Sequence, residues 1–223
     1  MSGRIITFDG VDCSFKETNS NAYLKYLLNK GEKAALYSFP RYDMSQSIFV
    51  KRYLSGAYGK IEDINLKAIS MFYMMDMFDC AQTEIIPKLS EGYTIILDRY
   101  WHCNLFYRIG ACRMNGDSHI VEKVITADTE ELARILKLPK ADIIIKLKPE
   151  TSIMLNFVRN KNSKDDQHES NAKYLSAVAE VFSDIDLSSY VKDRVLEIYT
   201  TRDGNIRPKE DIFNDILRGI NHD

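Results

Sequence analysis

The passage from Arg4 to Gly31 restricts the fold more than any other part of the chain. A short β-branched run, RIITF, enters Asp9–Thr18, DGVDCSFKET, and a helical stretch then carries on to Gly31, which suits a helix C-cap. Strand, loop and helix in that order, with Gly10 and Lys16 spaced as in GxxxxGK[ST], describe a phosphate-binding loop. In such a loop backbone N–H groups cradle phosphates and a hydroxyl holds Mg²⁺. Two positions depart from the pattern: Phe15 occupies the second glycine position and Glu17 the hydroxyl position, with Thr18 one place late. Taken alone, a strand followed by Gly and Lys also describes an ordinary tight turn.

The rest of the chain repeats the alternation. Strands are predicted at Ala34–Phe39, which stops at Pro40, at Thr94–Leu97, at Ala141–Leu147 and at Val195–Tyr199. A long helical region from about Asp63 to Leu89 carries apolar Ile69, Phe72, Tyr73, Met77 and Ala81, and a terminal helix runs from about Pro208 to Ile220. Short apolar strands alternating with helices imply an α/β fold, with a five-stranded parallel sheet flanked by helices on both faces and ligands at the carboxyl ends of the strands. A chain of 223 residues suits one domain, 1–223. The polar stretch Asn160–Asn171, NKNSKDDQHESN, breaks the rhythm and reads as a short lid or, as commonly, a solvated surface loop.

With 30 basic and 32 acidic residues, the formal charge of −2 excludes a broad cationic face for a long nucleic acid. Cys13, Cys80, Cys103 and Cys112 lack zinc-site spacing and read as reduced cytoplasmic thiols. Apolar runs are strand-length, too short to span a membrane.

The stretches FDGVDCSFKET, YSFPRY, MFYMMDMFDCAQTEIIPKLSEGYTIILDRYW and the lid region occur in an order and spacing that resemble thymidylate kinases, P-loop enzymes that phosphorylate dTMP with ATP. The most specific elements are LDRY at Leu97–Tyr100 and GVD at Gly10–Asp12, and the resemblance spans nearly the whole chain. It implies a P-loop kinase fold with ATP as co-substrate and Mg²⁺ as cofactor.

Such chemistry is mostly positioning and charge neutralisation, so its residues should be cations, donors and a metal holder. On the donor side the resemblance assigns Gly10, Ser14, Phe15, Lys16, Glu17 and Thr18 to the phosphate loop, Lys16 to the terminal phosphates and Arg159 to the adenine. Asp98, with Glu17, would hold the hydrated cation. On the acceptor side Asp12 would accept from the sugar 3′-hydroxyl, and Arg99 would hold the acceptor phosphate. Phe72 would stack on the base, with Phe39, Arg41, Asp76 and Tyr107 around it. Ordinary roles compete: an Asx turn for Asp12, a surface ion pair for Arg99, a helix cap for Asp98, core packing for Phe72 and a helix C-terminal cation for Arg159.

Four positions depart from the family pattern. Phe15 must turn its benzyl group away or occlude the cradle. Glu17 adds negative charge beside a triphosphate unless metal or Lys16 compensates it. Cys13 stands where several members carry arginine, leaving transition-state charge to the lid residues Lys161 and Lys164. Asp76 lies where the family commonly has arginine, which suggests an acceptor other than, or besides, dTMP. The expectation is a nucleoside monophosphate kinase acting on dTMP or a related pyrimidine deoxynucleotide. Its rival is a catalytically impaired, kinase-shaped regulatory or structural subunit. A kinase of nucleosides or nucleic acid is a third reading. The apolar stretch Met71–Met77 favours a homodimer, although the same residues also suit a core.

Overall fold

The computed structural model describes residues 3–60, 64–117, 119–160 and 171–221, with residues 158–160 as backbone alone. The central strand β1 (Arg4–Asp9) leads through the loop into α1 (Lys16–Asn29) and then β2 (Ala34–Ser38). Helices α2 (Ile48–Leu54), α3 (Leu66–Cys80) and α4 (Ile86–Ser90) precede β3 (Thr94–Asp98). Next come α5 (Cys103–Asn115), α6 (His119–Ile135), β4 (Ala141–Lys148), α7 (Thr151–Asn160) and α8 (Ala172–Asp184). The chain closes with β5 (Val191–Tyr199), a hairpin of β6 (Thr201–Arg202) and β7 (Asn205–Ile206), and α9 (Lys209–Asn221).

Five strands form one sheet in the order β2-β3-β1-β4-β5, and every pairing in it is parallel. Side chains alternate across it: Ile5, Ile95, Leu97 and Ile144 pack on one face, while Ile6, Phe8, Ile96, Ile143 and Ile145 pack on the other. Both faces of the central strands are therefore apolar, which is why β1, β3 and β4 read as nearly unbroken hydrophobic runs, whereas the edge strand β5 exposes Lys192, Asp193 and Glu197. The second face is covered through Tyr23 and Leu27 of α1 and Ile212, Ile216 and Ile220 of α9. Connections leave β1 toward β2 on one side, whereas β3 crosses over β1 to reach β4, so a crevice opens at the carboxyl ends of β1 and β3.

The helical region expected from about Asp63 to Leu89 runs unbroken from Leu66 to Ser90 but changes its hydrogen bonding midway. Its α-helical hydrogen bonding stops at Cys80, a π-helical turn spans Ala81–Ile85, and Pro87 enters the first turn of α4. Proline lacks the N–H that would continue the ladder, and its ring crowds the carbonyl one turn back. Helix α2 and the β6–β7 hairpin were not expected. The hairpin had a readable signal, because Asp203 and Gly204 both take positive φ, 52° and 74°, the requirement of a tight two-residue turn.

Helix α5 starts just beyond the carboxyl end of β3 and packs against α8 at Gly110, where a Cβ would lie 2.6 Å from Val178 Cγ2 and 2.9 Å from its backbone. Only a residue without a side chain allows that approach, so Gly110 sets the distance of α5 from α8 and hence the width of the crevice. The expected lid lies, apart from its end residues Asn160 and Asn171, outside the described residues, as do Lys161 and Lys164.

Candidate active site

The loop after β1 closes on its neighbours. At Gly10 a Cβ would lie 2.2 Å from Ser14 Oγ and 2.9 Å from the Leu147 carbonyl, so this position needs glycine. Cys13 and Phe15 both take left-handed backbone, φ 60° and 66°, and Phe15 is the N-cap of α1. A left-handed conformation is what the glycine of the motif normally supplies; here a bulky residue adopts it. The Phe15 ring meets Phe157 of α7 edge-on, with centroids 6.3 Å apart, and the residue still borders the cavity.

Lys16 is 6 % exposed and folds back over the loop, its Nζ donating to the Val11 carbonyl at 2.6 Å and to Ser14 Oγ at 3.2 Å. Burial, and then the Arg99 charge, push its pKa down to about 8 against the pull of Asp12 and Asp98. Glu17 and Thr18, in the first turn of α1, are exposed and border the same cavity.

At the end of β3, Asp98 is 8 % exposed and its Oδ1 has no hydrogen-bond partner among the described residues. Burial raises its pKa although Lys16 and Arg99 pull the other way. It does not cap a helix, because α5 begins at Cys103 with His102 as N-cap. Arg99 takes left-handed φ, 69°, while its N–H donates to the Phe8 carbonyl at 3.1 Å. Its guanidinium donates from Nη2 to Asp12 Oδ1 at 2.5 Å and from Nη1 to the Tyr107 hydroxyl at 2.9 Å. Tyr107 completes the triangle by donating to Asp12 Oδ2 at 3.3 Å. Burial, foremost, drives the Tyr107 hydroxyl well above its ordinary pKa, so it stays a donor.

Beneath the loop, the fully buried Asp9 carboxylate contacts His102 Nε2 and accepts from Cys103 Sγ at 3.0 Å and Thr7 Oγ1 at 3.2 Å. Burial alone would raise the Asp9 pKa, but His102 and the hydrogen bonds outweigh it and hold it low. This cluster ties the end of β1 to the start of α5, and so the phosphate loop to Tyr107.

These groups wall one cavity of about 550 Å³, within the range of small-molecule sites. Of the residues singled out in the sequence, Asp12, Ser14, Phe15, Lys16, Glu17, Thr18, Phe39, Asp98, Arg99 and Tyr107 line it. Four described residues of the expected site do not: Gly10, which packs against Ser14 and the Leu147 carbonyl, and Phe72, Arg41 and Asp76. Phe72 stacks on Phe49, with centroids 5.4 Å apart at 21°, and on Tyr58 at 5.8 Å. Arg41 and Asp76 satisfy each other: the backbone N–H and Nε of Arg41 donate to the two carboxylate oxygens of Asp76, each at 2.8 Å. Arg41 Nη2 also reaches Asp79 Oδ2 at 2.7 Å, and Asp76 is fully buried. A carboxylate so engaged cannot read an acceptor base, so the expected role of Asp76 is corrected to holding Arg41.

The cavity face of α3 is instead Ile69, Ser70, Tyr73 and Met77. One residue along a helix turns the side chain by 100°, so placing the face at Phe72 and Asp76 rather than at Tyr73 and Met77 took residues engaged with other parts of the chain for the lining ones. Sequence reasoning also missed Asn104 and Arg108 of α5, Tyr174 of α8 and Tyr53 of α2. For Asn104 and Arg108 a signal existed, since they lie one helical turn apart shortly after LDRY. The Arg159 side chain lies outside the described part.

The donor set fits a hydrated Mg²⁺, which takes one or two carboxylates and otherwise water and phosphate oxygens. Asp98 offers an unpaired buried carboxylate oxygen for it, and Glu17 an exposed carboxylate on the same cavity. Among the described residues no group of three or more His, Cys, Asp or Glu side chains forms a ready metal cage. A cation here would therefore depend on the ligand's phosphates.

Comparison with known proteins agrees with this architecture. The thymidylate kinase of Caldicellulosiruptor saccharolyticus is 30 % identical over 169 residues, 74 % of this chain and 75 % of that protein. That of Carboxydothermus hydrogenoformans is 26 % identical over 224 residues, 99 % of this chain and 100 % of the relative. The solved thymidylate kinase of Candida albicans superposes with a TM-score of 0.69 at 18 % identity, covering 100 % of this chain and 94 % of that one, a likeness of fold. A family model described as thymidylate kinase matches residues 8–203, nearly the whole of the sheet and every described wall of the cavity, and the chain belongs to the thymidylate kinase family.

Proposed function

We propose that this chain is a nucleoside monophosphate kinase that transfers the terminal phosphate of ATP to dTMP or a related pyrimidine deoxynucleotide. The observation that carries this reading is the buried Oδ1 of Asp98, which has no partner among the described residues and lies within electrostatic reach of Lys16 and Arg99 at the strand end. A purely structural carboxylate in that position would be satisfied by protein donors. On this reading the loop from Gly10 to Thr18 cradles the donor phosphates, and Lys16 leaves the Val11 carbonyl to meet them. Asp98 and Glu17 would hold Mg²⁺, which would supply neutralisation of phosphate charge when bound. The acceptor phosphate draws Arg99 Nη2 from Asp12 and Nη1 from Tyr107. Asp12, so released, accepts from the sugar 3′-hydroxyl, while Tyr107 covers the sugar and Tyr73 and Phe39 flank the base.

A second reading is favoured by the loop itself. Left-handed Phe15 and an exposed Glu17 suit a kinase-shaped subunit that binds nucleotide poorly and serves a regulatory or structural role. A panel of deoxynucleoside monophosphates with ATP and Mg²⁺, read by ADP formation, separates the two. Turnover that disappears in Lys16→Ala supports the kinase. Silence across the panel, together with no ATP-dependent rise in melting temperature, rejects it, because a ligand that binds only the native state must stabilise that state.

A further inference from the structure

Asp9 and His102 are both wholly buried, and neither lines the cavity. Asp9 is the last residue of β1, next to Gly10, and His102 is the N-cap of α5, three residues beyond Arg99. Both carboxylate oxygens of Asp9 are occupied: Oδ2 meets His102 Nε2 and accepts from Thr7 Oγ1, while Oδ1 accepts from Cys103 Sγ. The His102 ring meets Tyr100 and Trp101 edge-on, with centroids 5.9 Å and 5.5 Å away and planes at 88° and 82°. Its Nδ1 has no partner among the described residues, so Asp9 is the polar anchor that orients the ring. A buried pair of this kind is weak evidence for stability, because apolar residues of similar volume commonly hold a fold as well. What it supplies is direction: a fully engaged polar cluster fixes one arrangement of the segments it joins.

Those segments are the two walls of the site. β1 and β3 are paired as far as Phe8 and Asp98, and the Arg99 N–H still reaches the Phe8 carbonyl. Beyond that point the chains part. One turns into the phosphate loop with Lys16, the other into left-handed Arg99 and then α5 with Tyr107. Two polar ties cross between them. The Arg99–Asp12–Tyr107 triangle is one, but it lies in the cavity, and on the reading above the acceptor phosphate opens it. The Asp9–His102 pair is the other, and it is out of reach of any nucleotide.

We propose that Asp9 and His102 are positioning residues, a buried pair that keeps the phosphate loop in register with the Arg99–Tyr107 wall after nucleotides have displaced the triangle. This inference rests on the kinase reading for what the two walls hold. Phosphoryl transfer is mostly alignment, and a misplacement of about 1 Å can cost about a hundredfold in rate. Each nucleotide alone needs only its own wall, so the pair acts on kcat and leaves each KM nearly unchanged.

His102→Phe keeps a ring for the aromatic packing but removes the nitrogen that meets Asp9, whereas the amide of His102→Gln still donates there. Both are compared with the wild type by kcat and KM for ATP and dTMP. Calorimetry adds the affinities for ATP, for dTMP and for a bisubstrate conjugate whose two nucleosides share one phosphate chain. His102→Phe should lower kcat about tenfold or more and weaken the conjugate as much, with each single-nucleotide KM and affinity within about threefold. His102→Gln should recover most of both losses. Ile216→Val, in the apolar core beneath α9, controls for lost stability and should change neither. Parallel loss of kcat and of both single-nucleotide affinities overturns the proposal, as does an unchanged kcat and conjugate affinity, or a His102→Gln no better than His102→Phe. If His102→Phe does not fold, His102→Asn, whose shorter amide does not reach Asp9, is read in its place. Transfer without this split sinks the positioning pair and leaves the kinase standing. A conjugate selectively weakened in a chain that transfers nothing does the reverse, and a wild type that binds no conjugate removes the pair's role.

Discussion

At position 15 the backbone sits at φ 66°, where a side chain costs about 1–2 kcal/mol, and the ring gains only an edge-on contact with Phe157, worth about 0.5–1.5 kcal/mol. These terms nearly cancel, so Phe15→Gly should leave the melting temperature within a few degrees of wild type while clearing the loop mouth. The expected gain is functional: a lower KM for ATP, read from initial rates at saturating acceptor. A rise in that KM would mean that the ring belongs to the donor site. Next to it, Lys16 is buried, and burial followed by Arg99 brings its pKa from the ordinary 10.5 down to about 8. The sign follows from proton counting. Below about 8 the lysine is charged in both the folded and unfolded chain, and the burial penalty is fully present. Between about 8 and 10.5 the unfolded chain binds a proton that the folded one lacks, so stability from this group rises with pH. Phosphate binding runs the opposite way, because it needs the cation. KM for ATP should therefore climb between pH 7 and pH 9, and Lys16→Arg should flatten the climb, since guanidinium does not titrate there. A wild-type profile already flat across that range contradicts the role of Lys16.

Helix α3 shows how an element-level assignment fails by a single residue. Its apolar positions are dense on every side, Met71, Phe72, Tyr73, Met74, Met75 and Met77 being nearly continuous, so the pattern declares a helix without declaring its inward face. The face was decided by partners distant in sequence. Phe49 and Tyr58 take Phe72, Arg41 takes Asp76, and Tyr73 and Met77 are left on the cavity. Tyr73→Ala should accordingly raise the acceptor KM about tenfold or more with ATP KM little changed. Phe72→Ala should lower stability by about 3 kcal/mol or less, the ring being half-buried, and leave the acceptor KM alone. Steady-state kinetics beside thermal unfolding would test the pair, and an acceptor KM more sensitive to Phe72 than to Tyr73 would return Phe72 to the base. The strands, by contrast, were legible to within a few residues, because a parallel strand buried on both faces needs a short uninterrupted apolar run wherever it lies in the sheet.

At the scale of the whole molecule, the same α3 that lines the cavity leaves Met71 and Met75 43 % and 49 % exposed, one helical turn apart. The adjacent α6, joined to α3 through Lys67 and Asp128, exposes Ile120 and Val124. Exposed apolar side chains on neighbouring helices suit burial against a second copy, so a homodimer is expected. Met71→Glu with Met75→Glu should yield a single 25.7 kDa chain by sedimentation, and a wild type already of that size would remove the dimer. No described helix is long and apolar enough to cross a membrane. The sequence by itself determined the alternation of strands and helices, the phosphate loop with its two altered positions, and the LDRY strand end. Each of these is written in contiguous residues whose local pattern has few other physical meanings. Only the tertiary structure decided that Asp98 keeps an oxygen without a partner among the described residues, that Arg99 closes a triangle with Asp12 and Tyr107, that Asp76 is consumed by Arg41, and that Arg108 ties α5 to Thr129 and Asp128 of α6. Those outcomes depend on which polar groups meet across 8 to 95 positions of chain, and a hydrogen bond formed in one place is a donor or acceptor withdrawn from another.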